Sequence, residues 1–146
     1  MNTDARCTFQ ITGWDEKTYQ EIDGGAKLTQ AKVTQSYAGD IEGTSNIEYL
    51  MAYAVQGTAT FVGLERVSGT VGGKSGTFVI QHVGSFSEGK ARSSWSVVAG
   101  SGTGSLASLR GSGSYVAGHG EVVANSIKRA MMEFPDFINT YRREKS

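Results

Sequence analysis

This chain predicts an all-β fold: a small antiparallel β-barrel of about eight strands followed by a C-terminal amphipathic helix. Three observations point there. Residues 58–71 and 77–86, both rich in β-branched and aromatic side chains, flank the cluster Gly72-Gly73-Lys74-Ser75-Gly76, the pattern of a long hairpin. Twenty glycines against one proline in 146 residues mark many tight turns and strand bends rather than disorder. The apolar period changes from two to helical spacing only after Glu121. A sheet with no interspersed helices must hide its edges, and closure into a barrel does so. A β-sandwich is the competing architecture, but extended runs of roughly 10 to 16 residues exceed typical sandwich strands.

Taken in order, residues 6–13 alternate Cys7, Phe9 and Ile11 against Thr8, Gln10 and Thr12, a first strand. Residues 14–25 (WDEKTYQEIDGG) read as a polar connection ending in an Asp-Gly-Gly turn. Residues 26–43 form the next extended run, with Ala31, Val33, Gln35 and Tyr37 on one face. Residues 45–55 follow, carrying Ile47, Tyr49, Met51 and Tyr53 at period two, and Gln56-Gly57 reverses the chain into the central hairpin. Residues 87–89 turn into a strand at 90–98, where Trp95 and Val97 share a face. The glycine-rich stretch 100–120 has the composition of a linker, yet Leu106, Leu109, Tyr115 and Val116 recur in it. A short turn at 106–110 and a last strand at 112–117 fit better. From Glu121, Val123, Ile127, Ala130, Met131 and Phe134 follow helical spacing, predicting a helix over 121–134 and a shorter turn or helix over 136–142 after Pro135. The division expected is a barrel domain at 1–120 and a helical tail at 121–146.

Composition narrows the function classes. Fourteen basic and fourteen acidic residues cancel, so no polyanion-binding surface follows and nucleic acid is not an expected partner. One cysteine and two histidines leave little material for a metal centre, and no metal or other cofactor is expected. With no apolar run of membrane-spanning length, a cytoplasmic protein without membrane attachment is expected. The series GSGTGSLASLRGSG lacks the strand–turn–helix setting of a dinucleotide or P-loop site.

Chemistry concentrates in the central hairpin. Glu65 alternates with Phe61, Gly63 and Val67, so an inward-facing row would make it a buried carboxylate able to act as base, acid or acceptor for a ligand hydroxyl. An outward-facing row would leave it solvated. Gln81 and His82 are adjacent and point to opposite faces; the row Phe78, Ile80, His82 and Phe86 is the more apolar. His82 opposite Glu65 would form a proton-transfer pair, although a histidine in such a row is more often a satisfied core residue. Tyr49, Tyr53 and Trp95 are either walls of a ligand cavity with polar tips or ordinary core. Asp15 and Glu16 read as solvated turn residues.

The segments WDEKTYQEIDGG, GDIEGTSNIEYLMAY, TATFVGLERVSGTVGGKSGTFVIQHVG and GSGTGSLASLRGSG resemble, in order and spacing, an uncharacterised and mainly bacterial domain family over residues 9–118. That family is similar to the allene oxide cyclase class of calycin-type barrels, which implies eight strands around a central cavity. Enzymes of the class isomerise an unstable fatty-acid epoxide; the family itself has no established activity. The helical spacing after Glu121 departs from its pattern, which continues with a strand. Three functions follow as expectations: a barrel binding a small apolar or amphiphilic molecule through Glu65 and His82 or Gln81; an isomerase or cyclase acting on a lipid-like or polyketide-like substrate in the same cavity; and a filled barrel working through its outer surface. Homodimerisation through the exterior or the tail helix is the partner expectation.

Overall fold

The computed structural model describes the backbone of residues 2–118 and 126–133 and the side chains of residues 5–116. Seven strands form one antiparallel sheet: β1 (Asn2–Glu21), β2 (Lys27–Gly39), β3 (Ile41–Tyr53), β4 (Ala59–Val71), β5 (Lys74–Ser87), β6 (Lys90–Val97) and β7 (Arg110–Gly118). Each pairs with the next in sequence. An eighth strand, β8 (Ser126–Glu133), pairs with β7 on one side and β1 on the other, giving every strand two hydrogen-bonded neighbours.

That last strand overturns the expected C-terminal helix. Ile127, Ala130 and Met131 carry helical spacing, but Ser126–Glu133 pairs Ala130 with both Ala5 and Gly113 in an extended ladder. Edge strands expose rows of unpaired N–H and C=O groups, and pairing the free edges of β1 and β7 overrides a weak local preference. The helix expected at 136–142 lies outside the described residues, as does His119.

Two further differences arise in the first half. The supposed connection after Gly13 continues as strand to Glu21, with register shifts between Ile11 and Gly13 and between Thr18 and Gln20. Such bulges change the face that side chains take. Beyond the first shift Trp14 and Glu16 stand opposite Val33 and Ala31, both buried. The single run expected at 26–43 is two strands, broken at Asp40. There the Asp40 carboxylate accepts from the Arg6 amide at 2.8 Å and the Asp40 amide donates to the Arg6 carbonyl at 3.1 Å.

The central hairpin forms as its sequence indicates. Val71 pairs with Lys74 around Gly72-Gly73, whose φ values of 57° and 82° suit the two-residue reversals that match strand twist. The glycine-rich segment after β6 packs as a covering loop. The Thr103 amide donates to the Thr77 carbonyl and Thr103 Oγ1 accepts from the Thr77 amide, Ser101 Oγ accepts from the Val79 amide at 3.0 Å, and Leu106 and Leu109 are buried.

Alternation assigns one face of the sheet to the core. Burial in β3 and β4 alternates almost residue by residue, the period-two signature of a half-buried sheet. Two apolar clusters occupy that inner face. One gathers Phe9, Tyr37, Ile41, Phe78, Ile80 and Trp95 with the loop leucines. The other gathers Val33, Ile47, Tyr49, Met51 and Phe61.

Candidate functional site

Glu65 lies on β4 and His82 on β5, both on the inner face. Glu65 pairs with Ile80 and His82 with Gly63, so the two are diagonal neighbours, within reach of side chains of their size. His82 Nε2 lies 2.6 Å from Glu65 Oε1, and neither side chain has solvent exposure. Gly63 makes this level of the sheet possible, because a Cβ there would stand 2.5 Å from the Tyr49 ring, which lies over the glycine.

The second carboxylate oxygen is held from β2 and β3. Ser45 donates to Glu65 Oε2 at 2.6 Å, and the Tyr37 hydroxyl donates to the same oxygen. That hydroxyl also lies 3.2 Å from Gln35 Oε1. On the far side, His82 Nδ1 lies 3.4 Å from Ser93 Oγ. The network continues from Ser93 to the Tyr115 hydroxyl and from there to Tyr49. The rings of Tyr49 and Tyr115 have centroids 5.8 and 6.4 Å from the imidazole.

The electrostatics follow from burial. Desolvation, reinforced by the Glu65 carboxylate, pushes the Tyr37 phenol well above its ordinary range. Tyr49 is also raised well above its range, again first by burial and then by Tyr115 and Glu65. Burial raises Tyr115 despite opposing hydrogen bonds from Tyr49 and Ser93. All three phenols therefore keep their protons at neutral pH. The carboxylate accepts from two hydroxyls and contacts the imidazole with no solvent exposure, and the imidazole directs one nitrogen to it and the other toward a hydroxyl. Such an arrangement can hold or transfer one proton and can fix the polar end of a small molecule.

Trp95 is the direct cross-strand neighbour of His82 on β6 and is 3% exposed. Its Nε1 has no hydrogen-bond partner among the described residues. Gln81 takes the opposite, exposed face, which resolves the choice between it and His82.

Tyr53 stands apart, in a second polar group. Its hydroxyl donates to Glu16 Oε2 at 2.6 Å, Thr29 donates to the same oxygen at 2.6 Å, and Trp14 Nε1 donates to Oε1 at 3.0 Å. Lys27 sits 5.0 Å from the centroid of the Tyr53 ring. Partial burial pushes the Glu16 pKa upward, but the bonds from Thr29, Tyr53 and Trp14, with the Lys27 charge, leave it below its ordinary value. An open cleft of ≈ 530 Å³ is lined by Glu16, Lys27, Thr29 and Tyr53. Glu16 is thus not the solvated turn residue its surroundings imply; the bulge in β1 turned it inward.

Sequence reasoning missed Gln35, Tyr37, Ser45, Ser93 and Tyr115 as partners of the pair. Gln35 and Tyr37 had a signal: they share the face of Ala31 and Val33, and polar atoms on an apolar row call for partners. Ser93 carries none. Among the described residues no cluster of three or more His, Cys, Asp and Glu side chains forms a metal-binding group. No helix among them is long and apolar enough to cross a membrane.

An antiparallel sheet with a fully buried Glu–His pair on its inner face defines the class structurally. Residues 5–127 match the model of DUF3224, a protein family of unknown function, and the chain belongs to that family. A crystal structure of a DUF3224 protein of unknown function from Shewanella oneidensis MR-1 is 26% identical, covers 93% of this chain and 100% of its own, and superposes with a TM-score of 0.78. No curated protein matches the chain.

Proposed function

We propose that the protein is a closed barrel of the allene oxide cyclase-like, calycin type that binds a small apolar or amphiphilic molecule on its inner face. The polar end of that molecule would lie at Glu65, His82 and Tyr37, with Tyr49 and Trp95 as walls. The strand order returning from β8 to β1 supports closure. The observation that carries the binding reading is the Glu65–His82 pair itself, 2.6 Å apart and without solvent. Burying an ion pair brings little or no net stability compared with apolar residues of the same volume. A core of this size, already supplied with Phe9, Phe61, Phe78 and Ile80, does not need it for packing. Its presence in an apolar row fits a chemical task.

Native mass spectrometry of the purified protein, followed by organic extraction of any adduct, tests this reading. A discrete small-molecule adduct is expected. A bare chain mass, with no uptake from a mixture of fatty acids and aromatic ketones, would contradict it.

The isomerase or cyclase reading has its own support. A carboxylate and an imidazole in direct contact, with a protonated Tyr37 hydroxyl beside them, can take a proton from one atom of a bound molecule and return it to another. A reduced Cys7 and a cytoplasmic setting accompany either reading. So does self-association through the outer face, where Leu50, Val62 and Val83 form an exposed cross-strand row.

A further inference from the structure

We infer that Trp95 Nε1 anchors the bound molecule, and that the group it anchors is a carbonyl oxygen. The inference rests on the binding reading above and gives its ligand a chemical class. Buried N–H groups are almost always partnered, and leaving one unmade costs roughly 1–3 kcal/mol. Trp95 Nε1 is such a group among the described residues, in a side chain only 3% exposed.

Its place in the sheet connects it with the acid–base pair. Across β5 it pairs with His82, and across β7 it pairs with Gly113, which has no side chain to occupy that flank. It belongs to the same buried cluster as Tyr37, whose hydroxyl reaches Glu65. The indole thus stands beside the place where a molecule held by Glu65, His82 and Tyr37 would put its polar end.

Donor and acceptor accounting selects the chemistry. Indole N–H only donates. The Glu65 carboxylate already receives bonds from Tyr37 and Ser45 and contacts His82. A ligand hydroxyl would bring a further proton in search of an acceptor. A ligand carboxylate would bury a second negative charge beside Glu65, which is costly without a new counter-charge. A carbonyl oxygen accepts without donating and complements the Trp95 indole, the one buried side-chain donor without a partner among the described residues.

The test is a titration with cyclohexenone and with cyclohexene, apolar rings that differ in the carbonyl oxygen. Proton–nitrogen correlation spectra would follow the two indole N–H groups and the His82 ring, with Trp14→Phe used to assign the indoles. Cyclohexenone is expected to move the Trp95 N–H resonance and to bind on the order of tenfold tighter than cyclohexene. Trp95→Phe should abolish that difference, bringing the two rings to equal affinity. Equal affinity for the two rings, with His82 responding to both, would overturn the carbonyl anchor and leave the inner-face site standing. A Trp95 N–H contact to water that persists at saturating cyclohexenone would overturn it likewise. No response at His82 or Trp95 to either ring would remove both the anchor and the binding reading.

Discussion

Two carboxylates in this protein have nearly the same company and opposite circumstances. Glu16 accepts from a tyrosine, a threonine and a tryptophan at a half-open end of the sheet. Glu65 accepts from a tyrosine and a serine and contacts a histidine, with no exposure at all. At Glu16, solvent and Lys27 share the charge, and the hydrogen bonds hold the pKa down. At Glu65 the charge has only its partners, and its influence reaches Tyr37, Tyr49 and Tyr115. Solvent access, more than the number of donors, separates the surroundings of the two carboxylates.

The comparison breaks most sharply by truncation. Glu65→Ala would leave His82, Tyr37 and Ser45 facing a void without their acceptor. A loss of about 3–5 kcal/mol is expected, read from the midpoint of denaturant unfolding. Glu16→Ala should cost only about 1 kcal/mol, because water can replace the carboxylate for Tyr53 and Trp14. Equal losses at the two sites would remove the distinction.

The alkaline limb gives the next effect. The buried phenols keep their protons in the folded chain, whereas the unfolded chain releases them around the ordinary value of 10.0. The folded state then binds more protons, so stability should fall as pH rises above that value. Phenolate absorbance for Tyr37, Tyr49 and Tyr115 should appear together with unfolding. Their titration in the folded protein would show the network to be open to water.

The acid limb concerns Glu16. Its folded pKa lies below the ordinary 4.5, so its contribution is complete above that value and disappears as pH falls through the lowered one. Glu16→Gln should flatten this part of the stability profile, measured as thermal midpoint against pH. The smallest effect belongs to Gln81, which neighbours His82 in sequence but faces outward. Gln81→Ala should change stability by no more than about 0.5 kcal/mol.

How much of this was legible beforehand varies along the chain. The hairpin of β4 and β5 could be read because Gly72-Gly73 and two alternating runs agree with each other, and that agreement put Glu65 in an apolar row. The face could not be fixed, since a one-residue slip reverses every side chain. Only the observed pairing of Gly63 with His82 sets it. Glu16 was hidden by a bulge, which leaves no mark in a period-two pattern. The tail misled for a different reason. Ser126–Glu133 carries helical spacing, yet its structure is decided by strands far away in sequence, whose edges it pairs.

Replacing both members of the buried pair, Glu65→Leu with His82→Phe, and measuring stability and adduct mass on one sample addresses the account most directly. A chain that loses less stability than Glu65→Ala, because no unpaired imidazole stays buried, yet is empty in native mass spectrometry is the outcome expected if the pair serves a ligand. A double variant that loses as much as Glu65→Ala, or one that keeps its adduct, would show the pair to be part of the packing and the ligand reading to be wrong.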